Sequence, residues 1–86
     1  MKLPIDDFLV MKYGGIAVPL AEVVKDFFPH LSKSKMLEKA RNQEFPFTCF
    51  RLDGSQKAPY FVNIYELAKV IDDQYLDAFK VSNRKY

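Results

Sequence analysis

The fold of this chain is decided by residues 18–41, which read VPLAEVVKDFFPHLSKSKMLEKAR. The apolar residues of the first half recur at the spacing of one helix face and are Leu20, Val23, Val24, Phe27 and Leu31. Pro19 suits the first turn of a helix, where its missing N–H is not needed. Pro29 ends the helix because the residue before a proline avoids the α region. We therefore predict a helix over residues 19–28.

A second helix is predicted over residues 33–43, because Ser32 or Ser34 can cap its first turn. Its buried face would consist of Met36, Leu37 and Ala40. Its outer face would present polar and basic side chains, namely Lys35, Glu38 and Asn42, flanked by Lys39 and Arg41. Two helices joined by so short a turn form a helix-turn-helix, in which the second helix points its polar side chains outward.

Further helices are predicted at both ends of the chain. Residues 5–13 form an apolar run whose first turn contains two aspartates, which oppose the helix dipole, and the run ends at Gly14-Gly15. Asn63 and Glu66 have the spacing of a capping box. The helix that they precede has its apolar positions at Ile64, Leu67, Ala68, Ile71 and Tyr75. We expect the tail from Val81 to Tyr86 to fray.

Two segments between these helices, residues 48–52 and 60–64, are rich in β-forming residues. The seven residues that separate them read DGSQKAP, which is typical of a turn. We therefore predict a β-hairpin, which in a helix-turn-helix domain would be a wing covering about residues 48–64. The predicted fold is α+β and mostly α: a single small winged helix-turn-helix domain over residues 1–86, with a β-hairpin wing and a C-terminal helix.

The composition argues against catalysis and metal binding. The chain of 86 residues contains one cysteine, Cys49, and one histidine, His30, too few for an internal disulfide or a tetrahedral zinc site. We expect Cys49 to pack as a small hydrophobic residue and His30 to lie in a turn. The sequence offers no nucleophile with a partner base and no phosphate-binding glycine motif. We predict a protein that is not an enzyme and that requires no cofactor and no metal.

The basic residues are unevenly distributed along the chain. The net charge is +2, but residues 31–60 contain six basic and three acidic side chains. This surplus in the middle third favours a polyanionic partner such as double-stranded DNA. The N-terminal residues are acidic where a signal peptide would be apolar, and no apolar run approaches the ~20 residues that span a bilayer. We therefore expect a soluble, intracellular protein that does not contact membranes.

Several runs of the sequence are characteristic and are spread over roughly residues 8–75: residues 11–15, 18–28, 31–32, 36–40, 51–58, Val62 and 66–72. Together they resemble the pyocin activator (PrtN) family, whose members are excisionase-like and MerR-like winged helix-turn-helix transcription activators. The most specific of them is Arg51 followed by Ser55-Gln56-Lys57. The chain departs from the family pattern at Asn42-Gln43, where a glycine is expected; the turn can persist because Asn tolerates the left-handed conformation.

The predicted second helix and the predicted wing contain the candidate DNA-binding residues. On the helix, at about residues 33–43 in the major groove, they are Ser34, Lys35, Lys39, Arg41 and Asn42. On the wing they are Arg51, Ser55, Gln56 and Lys57. Asn and Arg can read base edges, whereas Lys, Ser and Gln more often contact phosphate or the minor groove. The alternative is that the helix face is merely solvated and the loop is an ordinary polar turn.

The resemblance implies a sequence-specific activator of bacteriocin or prophage genes, with RNA polymerase as a further candidate partner. It also implies a cytoplasmic, nucleoid-associated protein of a bacterium. We also expect a homodimer, because one domain of this size covers little DNA. The final helix would hold it, since it leaves Val70, Leu76 and Phe79 unused unless residues 5–13 fold over them. Two alternative functions are an excisionase-like architectural protein and a protein-binding adaptor or antirepressor. The adaptor would have an exposed apolar patch on the last helix and a neutral helix-turn-helix face.

Overall fold

A computed structural model describes residues 5–84 of the chain and forms a small α+β fold that is mostly helical, as the sequence predicts. Within these residues there are four helices and a two-stranded antiparallel sheet. In chain order the elements are α1 (Ile5–Tyr13), β1 (Ala17–Pro19), α2 (Leu20–Phe27), α3 (Lys33–Arg41), β2 (Phe61–Asn63) and α4 (Ile64–Arg84). Among the described helices, none combines the length and apolar composition needed to cross a membrane.

The first two helices follow the apolar periodicity closely. The bounds of α1 are those predicted, and α2 begins one residue after Pro19, which is its N-cap residue. The buried side chains of α2 are Leu20, Val23 and Val24. Phe27, which the periodicity assigns to the same stripe, is instead exposed. Its neighbour Phe28 packs against the core because the chain leaves the helix there.

Helix α3 is fixed at both ends by hydrogen bonds to its terminal backbone. Ser32 is the N-cap, and its Oγ accepts from the Lys35 N–H at 3.2 Å. The helix ends at Arg41, two residues before the predicted end, in the pair of bonds that defines a Schellman motif: Glu44 N–H to Lys39 C=O at 2.8 Å and Gln43 N–H to Ala40 C=O at 3.2 Å. The left-handed residue is Gln43, with φ 53°, and not Asn42 as predicted.

The predicted hairpin is wrong in its strand pairing. Strand β2 pairs with β1, in a register that places Val18 opposite Val62, both of them almost fully buried. Residues 48–52 form no strand and make one isolated bridge, between Phe50 and Phe61. This ladder cannot extend, because Pro59 has no N–H to give Leu52 and the Thr48 N–H is bonded to the Glu66 carboxylate.

Helix α4 closes the core and continues beyond it. Asn63 caps it, with Oδ1 accepting from the Tyr65 N–H at 2.8 Å, but Glu66 bonds Thr48 rather than completing a capping box. Helix α1 packs against α4, and Val70, predicted to be free, packs partly against the core. The helix continues to Arg84, so the predicted fraying from Val81 is wrong up to that residue; Lys85 and Tyr86 lie outside the described residues.

An aromatic cluster joins α2 to the segment that follows α3. Phe45 and Phe47 are buried and stacked, with ring centroids 5.2 Å apart, and Phe28 meets Phe45 edge-on at 5.5 Å. Such pairs stabilise a core beyond the effect of area alone. Cys49 is buried beside this cluster, as predicted for a small hydrophobic residue, and His30 lies in the α2–α3 turn. The cluster therefore fixes residues 45–49 against the two helices.

Candidate nucleic-acid interface

A groove of about 830 Å³ lies between the start of α2, one face of α3 and the segment of residues 51–60. Four basic residues line it, two from α3 and two from the 51–60 segment: Lys33, Arg41, Arg51 and Lys57. Its other lining residues are apolar apart from Gln56 and Tyr60, and none of the described lining residues is acidic. We call this feature the cationic groove.

The α3 wall of the cationic groove follows from helix periodicity. Lys33, Leu37 and Arg41 are four residues apart, so they lie one above another on a single face. The Ser32 cap fixes where the helix begins and therefore which residues face the groove. Leu37, which the sequence assigns to the buried face, is 37% exposed and lies between the two cations. Ala40 is fully buried on the other side of the helix, and Met36 is half-buried.

The opposite wall is built around the pair Arg51 and Tyr60. The guanidinium carbon of Arg51 lies 4.4 Å from the centroid of the Tyr60 ring, and Nη2 donates to the Tyr60 hydroxyl at 3.0 Å. The Nε of Arg51 is shielded from solvent and has no hydrogen-bond partner among residues 5–84. Stacking and hydrogen bonding to one ring restrict the guanidinium to one orientation. Arg51 is thus the most constrained cation of the groove.

The loop that presents Lys57 is held by short-range hydrogen bonds. The Ser55 N–H donates to Asp53 Oδ1 at 2.6 Å, which is an Asx turn. Ser55 Oγ in turn accepts from the Lys57 N–H at 3.2 Å, and the Ala58 N–H donates to the Ser55 carbonyl at 3.1 Å. Ser55 therefore positions the backbone of Lys57 in this structure, whereas its predicted contact with DNA stays a prediction.

The structure brings together only part of the predicted DNA-binding set. Arg41, Arg51, Gln56 and Lys57 line the groove, while the others predicted on the helix lie outside it. Of these, Lys35 is paired with Glu38 at 3.1 Å, and Lys39 lies 5.6 Å from the Phe45 ring centroid. Ser34 and Asn42 are exposed at the start and the end of α3. Their predicted roles are untested by this geometry.

Sequence reasoning missed Lys33, which lies in the first turn of α3 and lines the groove. The signal that could have found it is its spacing of four and eight residues from Leu37 and Arg41. The prediction assumed that Leu37 is buried, and it therefore placed the outward face of α3 more than a third of a turn away from the face that lines the groove. In the part of the chain that the structure describes, none of the four groove cations forms an ion pair. Their charge is therefore available to an anionic ligand.

The titratable groups with perturbed pKa values lie elsewhere in the fold. Burial, with the Glu66 charge nearby, raises the pKa of the Cys49 thiol to about 11, so the thiol stays protonated near neutral pH. Burial and the Asp26 hydrogen bond raise the pKa of Tyr13, whose hydroxyl donates to Asp26 Oδ2 at 2.6 Å. Between Ile5 and Arg84, no three His, Cys, Asp or Glu side chains gather as metal ligands would. The cationic groove is thus the chemically distinctive surface.

The fold and the groove together define a small, mostly helical domain with a cationic surface groove. The family model described as pyocin activator protein PrtN matches residues 7–78. The chain therefore belongs to this family, which confirms the resemblance drawn from its motifs; the family is one of regulators and is not an enzyme class. No curated protein and no solved structure matches the chain significantly. The matched range contains every residue that lines the groove.

Proposed function

We propose that this chain is a transcription activator that binds double-stranded DNA through the cationic groove. The observation that supports it most directly is the convergence of four basic side chains, from α3 and the 51–60 segment, on one concave surface whose described lining includes no acidic residue. Like charges placed together cost electrostatic energy unless a polyanion neutralises them. Membership in a family of pyocin activators supports the same function and favours genes of bacteriocins or prophages as its targets.

In this proposal α2 and α3 act as a helix-turn-helix, with α3 in the major groove. Arg41 at the end of the face can bond the O6 and N7 atoms of guanine, and Leu37 can contact a thymine methyl. Lys33 at the opposite end suits a phosphate. The 51–60 segment then acts as the wing, although its backbone is a loop rather than a hairpin, and it directs Lys57 and Gln56 to the DNA backbone or the minor groove.

The adaptor alternative required an exposed apolar patch on the last helix and a neutral helix-turn-helix face. The exposed Tyr75, Leu76 and Phe79 of α4 fit the first requirement, whereas the cationic groove does not fit the second. The excisionase-like alternative shares the DNA contacts and differs only in bending DNA without activating transcription. A family of activators favours the first role over the second. DNA binding is therefore the step to test first.

The test is the salt dependence of DNA binding by the full chain. If four phosphates are neutralised, the slope of log K against log salt is about −3.6, which corresponds to roughly a 100-fold loss of affinity between 50 and 200 mM salt. Lys57→Ala should make the slope about one unit shallower on every duplex. Lys69→Ala removes the same charge from the exposed surface of the first half of α4, outside the groove, and should leave the slope unchanged.

Two results would overturn this proposal. One is an affinity for duplex DNA that does not change between low and physiological salt. The other is an equal effect of the two substitutions, which would mean that the groove has no special role. Selection of preferred sites from random duplexes provides a separate readout: Arg41→Ala should relax the preference at one base pair, by about 1–3 kcal/mol of discrimination.

A further inference from the structure

The second half of α4 has an apolar stripe that the rest of the described fold leaves uncovered. Every residue from Asp72 to Ser82 is exposed. The buried face of the first half, at Ile64, Leu67 and Ala68, continues at helical spacing to Tyr75 and Phe79. Tyr75, Leu76 and Phe79 are 64%, 48% and 51% exposed, and the rings of Tyr75 and Phe79 stack with centroids 6.0 Å apart. We call these three residues the α4 stripe.

The charges on the same half of α4 are separated by sign along the chain. Asp72, Asp73 and Asp77 come first, with Asp73 paired to Lys69 at 3.2 Å, and Lys80 follows. A second copy of the helix running in the opposite direction would place the acidic part of each copy beside the basic part of the other. A copy running in the same direction would place like charges side by side. The charge pattern thus favours a second copy of this chain as the partner, with its α4 running in the antiparallel direction.

We propose that the α4 stripe is the interface between two copies of this chain, paired as antiparallel helices about a two-fold axis. In this arrangement Tyr75 of each copy packs against Phe79 of the other, and the symmetry forms this aromatic pair twice. Leu76 extends the contact, once from each copy. About three helical turns from each copy take part, which is smaller than an obligate interface, so the dimer depends on concentration.

The dimer is independent of DNA binding, because no residue of α4 lines the cationic groove. Loss of one property therefore need not accompany loss of the other, and the two proposals can fail separately. If both hold, a dimer would carry two grooves related by symmetry, and its binding site would consist of two half-sites in inverted orientation.

The first experiment is sedimentation of the full chain over a range of micromolar concentrations, for wild type, Phe79→Glu and Val81→Glu. Val81 is also exposed and apolar, but at 100° per residue it lies on the opposite side of α4 from Phe79. We expect a wild-type dimer, a monomeric Phe79→Glu protein and a dimeric Val81→Glu protein. A monomeric wild type, or a dimer that persists in Phe79→Glu, would overturn the proposal.

A charge exchange tests the antiparallel orientation. Lys80→Asp places acidic groups together in an antiparallel dimer and should weaken association at low salt by about ten-fold or more. Adding Asp72→Lys to the same chain restores opposite charges across the antiparallel contact and should recover most of the lost association. If the double variant associates no better than Lys80→Asp, the antiparallel arrangement is wrong. The circular dichroism of both variants checks that α4 remains helical.

Discussion

The helices of residues 5–41 and the irregular segment of residues 42–61 differ in the contacts that hold them in place. In the helices, burial of apolar side chains such as Leu9, Val23 and Ala40 determines which face turns inward. In the irregular segment, Phe45, Phe47 and Cys49 are buried as well, but side chains also bond the backbone directly: Gln43 bonds the backbone N–H and carbonyl of Cys49, and Glu66 bonds the Thr48 N–H. Each wall of the cationic groove comes from one of these regions, so the geometry of the groove depends on both kinds of contact.

Apolar burial and hydrogen bonds to the backbone differ in how much they stabilise the fold and in which substitutions they tolerate. A buried aliphatic side chain stabilises a small domain by several kcal/mol, whereas one hydrogen bond has a net effect of about 0.5–1.5 kcal/mol. Apolar burial, however, tolerates exchange of one hydrophobic residue for another of similar size. A hydrogen bond from a side chain to a particular backbone group does not tolerate such an exchange, because the new side chain must place the same polar atom at the same position. The loop wall of the groove should therefore be the less stable of the two and the more sensitive to conservative substitution.

The largest effect is expected from truncating the core where α4 begins. Ile64 is 0% exposed and packs in the core that joins α1, α2 and the sheet. Ile64→Ala should lower the free energy of unfolding by about 2–5 kcal/mol, because it removes buried methyl groups and leaves a cavity. Denaturant unfolding at one fixed protein concentration measures this loss. Val81→Ala, at an exposed position, should change stability by less than about 0.5 kcal/mol. Equal effects at the two positions would contradict the position of the core.

A smaller effect is expected at Gln43, which connects the end of α3 to residue 49. Its amide accepts from the Cys49 N–H at 3.1 Å and donates to the Cys49 carbonyl at 2.8 Å. Gln43→Ala loses both bonds and keeps the unfavourable positive φ, so we expect a loss of about 1–3 kcal/mol. Gln43→Gly also loses the bonds but relieves the backbone, and it should be about 1 kcal/mol more stable than Gln43→Ala.

The two Gln43 variants distinguish the side-chain contact from the backbone conformation. If both unfold at the denaturant concentration of the wild type, the amide bonds do not hold the segment. A glycine variant less stable than the alanine variant would contradict the left-handed conformation at this position. Either result would weaken the distinction between the contacts that hold residues 42–61 and those that hold the helices.

The two regions also differ in how well the sequence predicts them. Helix α1 was predicted to the residue, and α2 and α3 to within two, because apolar periodicity, Pro29 and Ser32 act locally. The strand pairing was mispredicted because it depends on contacts distant in sequence. Val18, and not residues 48–52, pairs with β2, and the Glu66 carboxylate accepts the Thr48 N–H that a longer ladder would need. No pattern of neighbouring residues in the sequence indicates either contact.

The cationic groove was predicted in part for the same reason. Arg51 and Lys57 were found because a polar, basic turn is visible in the sequence, and Arg41 because it lies near the outer face of α3. Lys33 was missed, and Lys35 was placed on the candidate surface, because the rotation of α3 depends on how far Leu37 is buried. A half-exposed leucine in a groove has the same sequence signal as a leucine in a core.

The smallest effect is expected from the polar contact that joins α1 to α2 at the surface. The Tyr13 hydroxyl donates to Asp26 at 2.6 Å, and Lys12 Nζ lies 3.7 Å from the same carboxylate oxygen. The Tyr13 hydrogen bond, aided by Lys12, lowers the pKa of Asp26. A lowered folded-state pKa means that this stabilisation is present above the unfolded pKa of about 3.9 and is lost as the pH falls through the folded value. Tyr13→Phe should therefore reduce stability slightly at neutral pH and converge with the wild type in acid. A difference between the two proteins that is as large at pH 2 as at pH 7 would show that Tyr13 acts through packing, like the core residues, and not through Asp26.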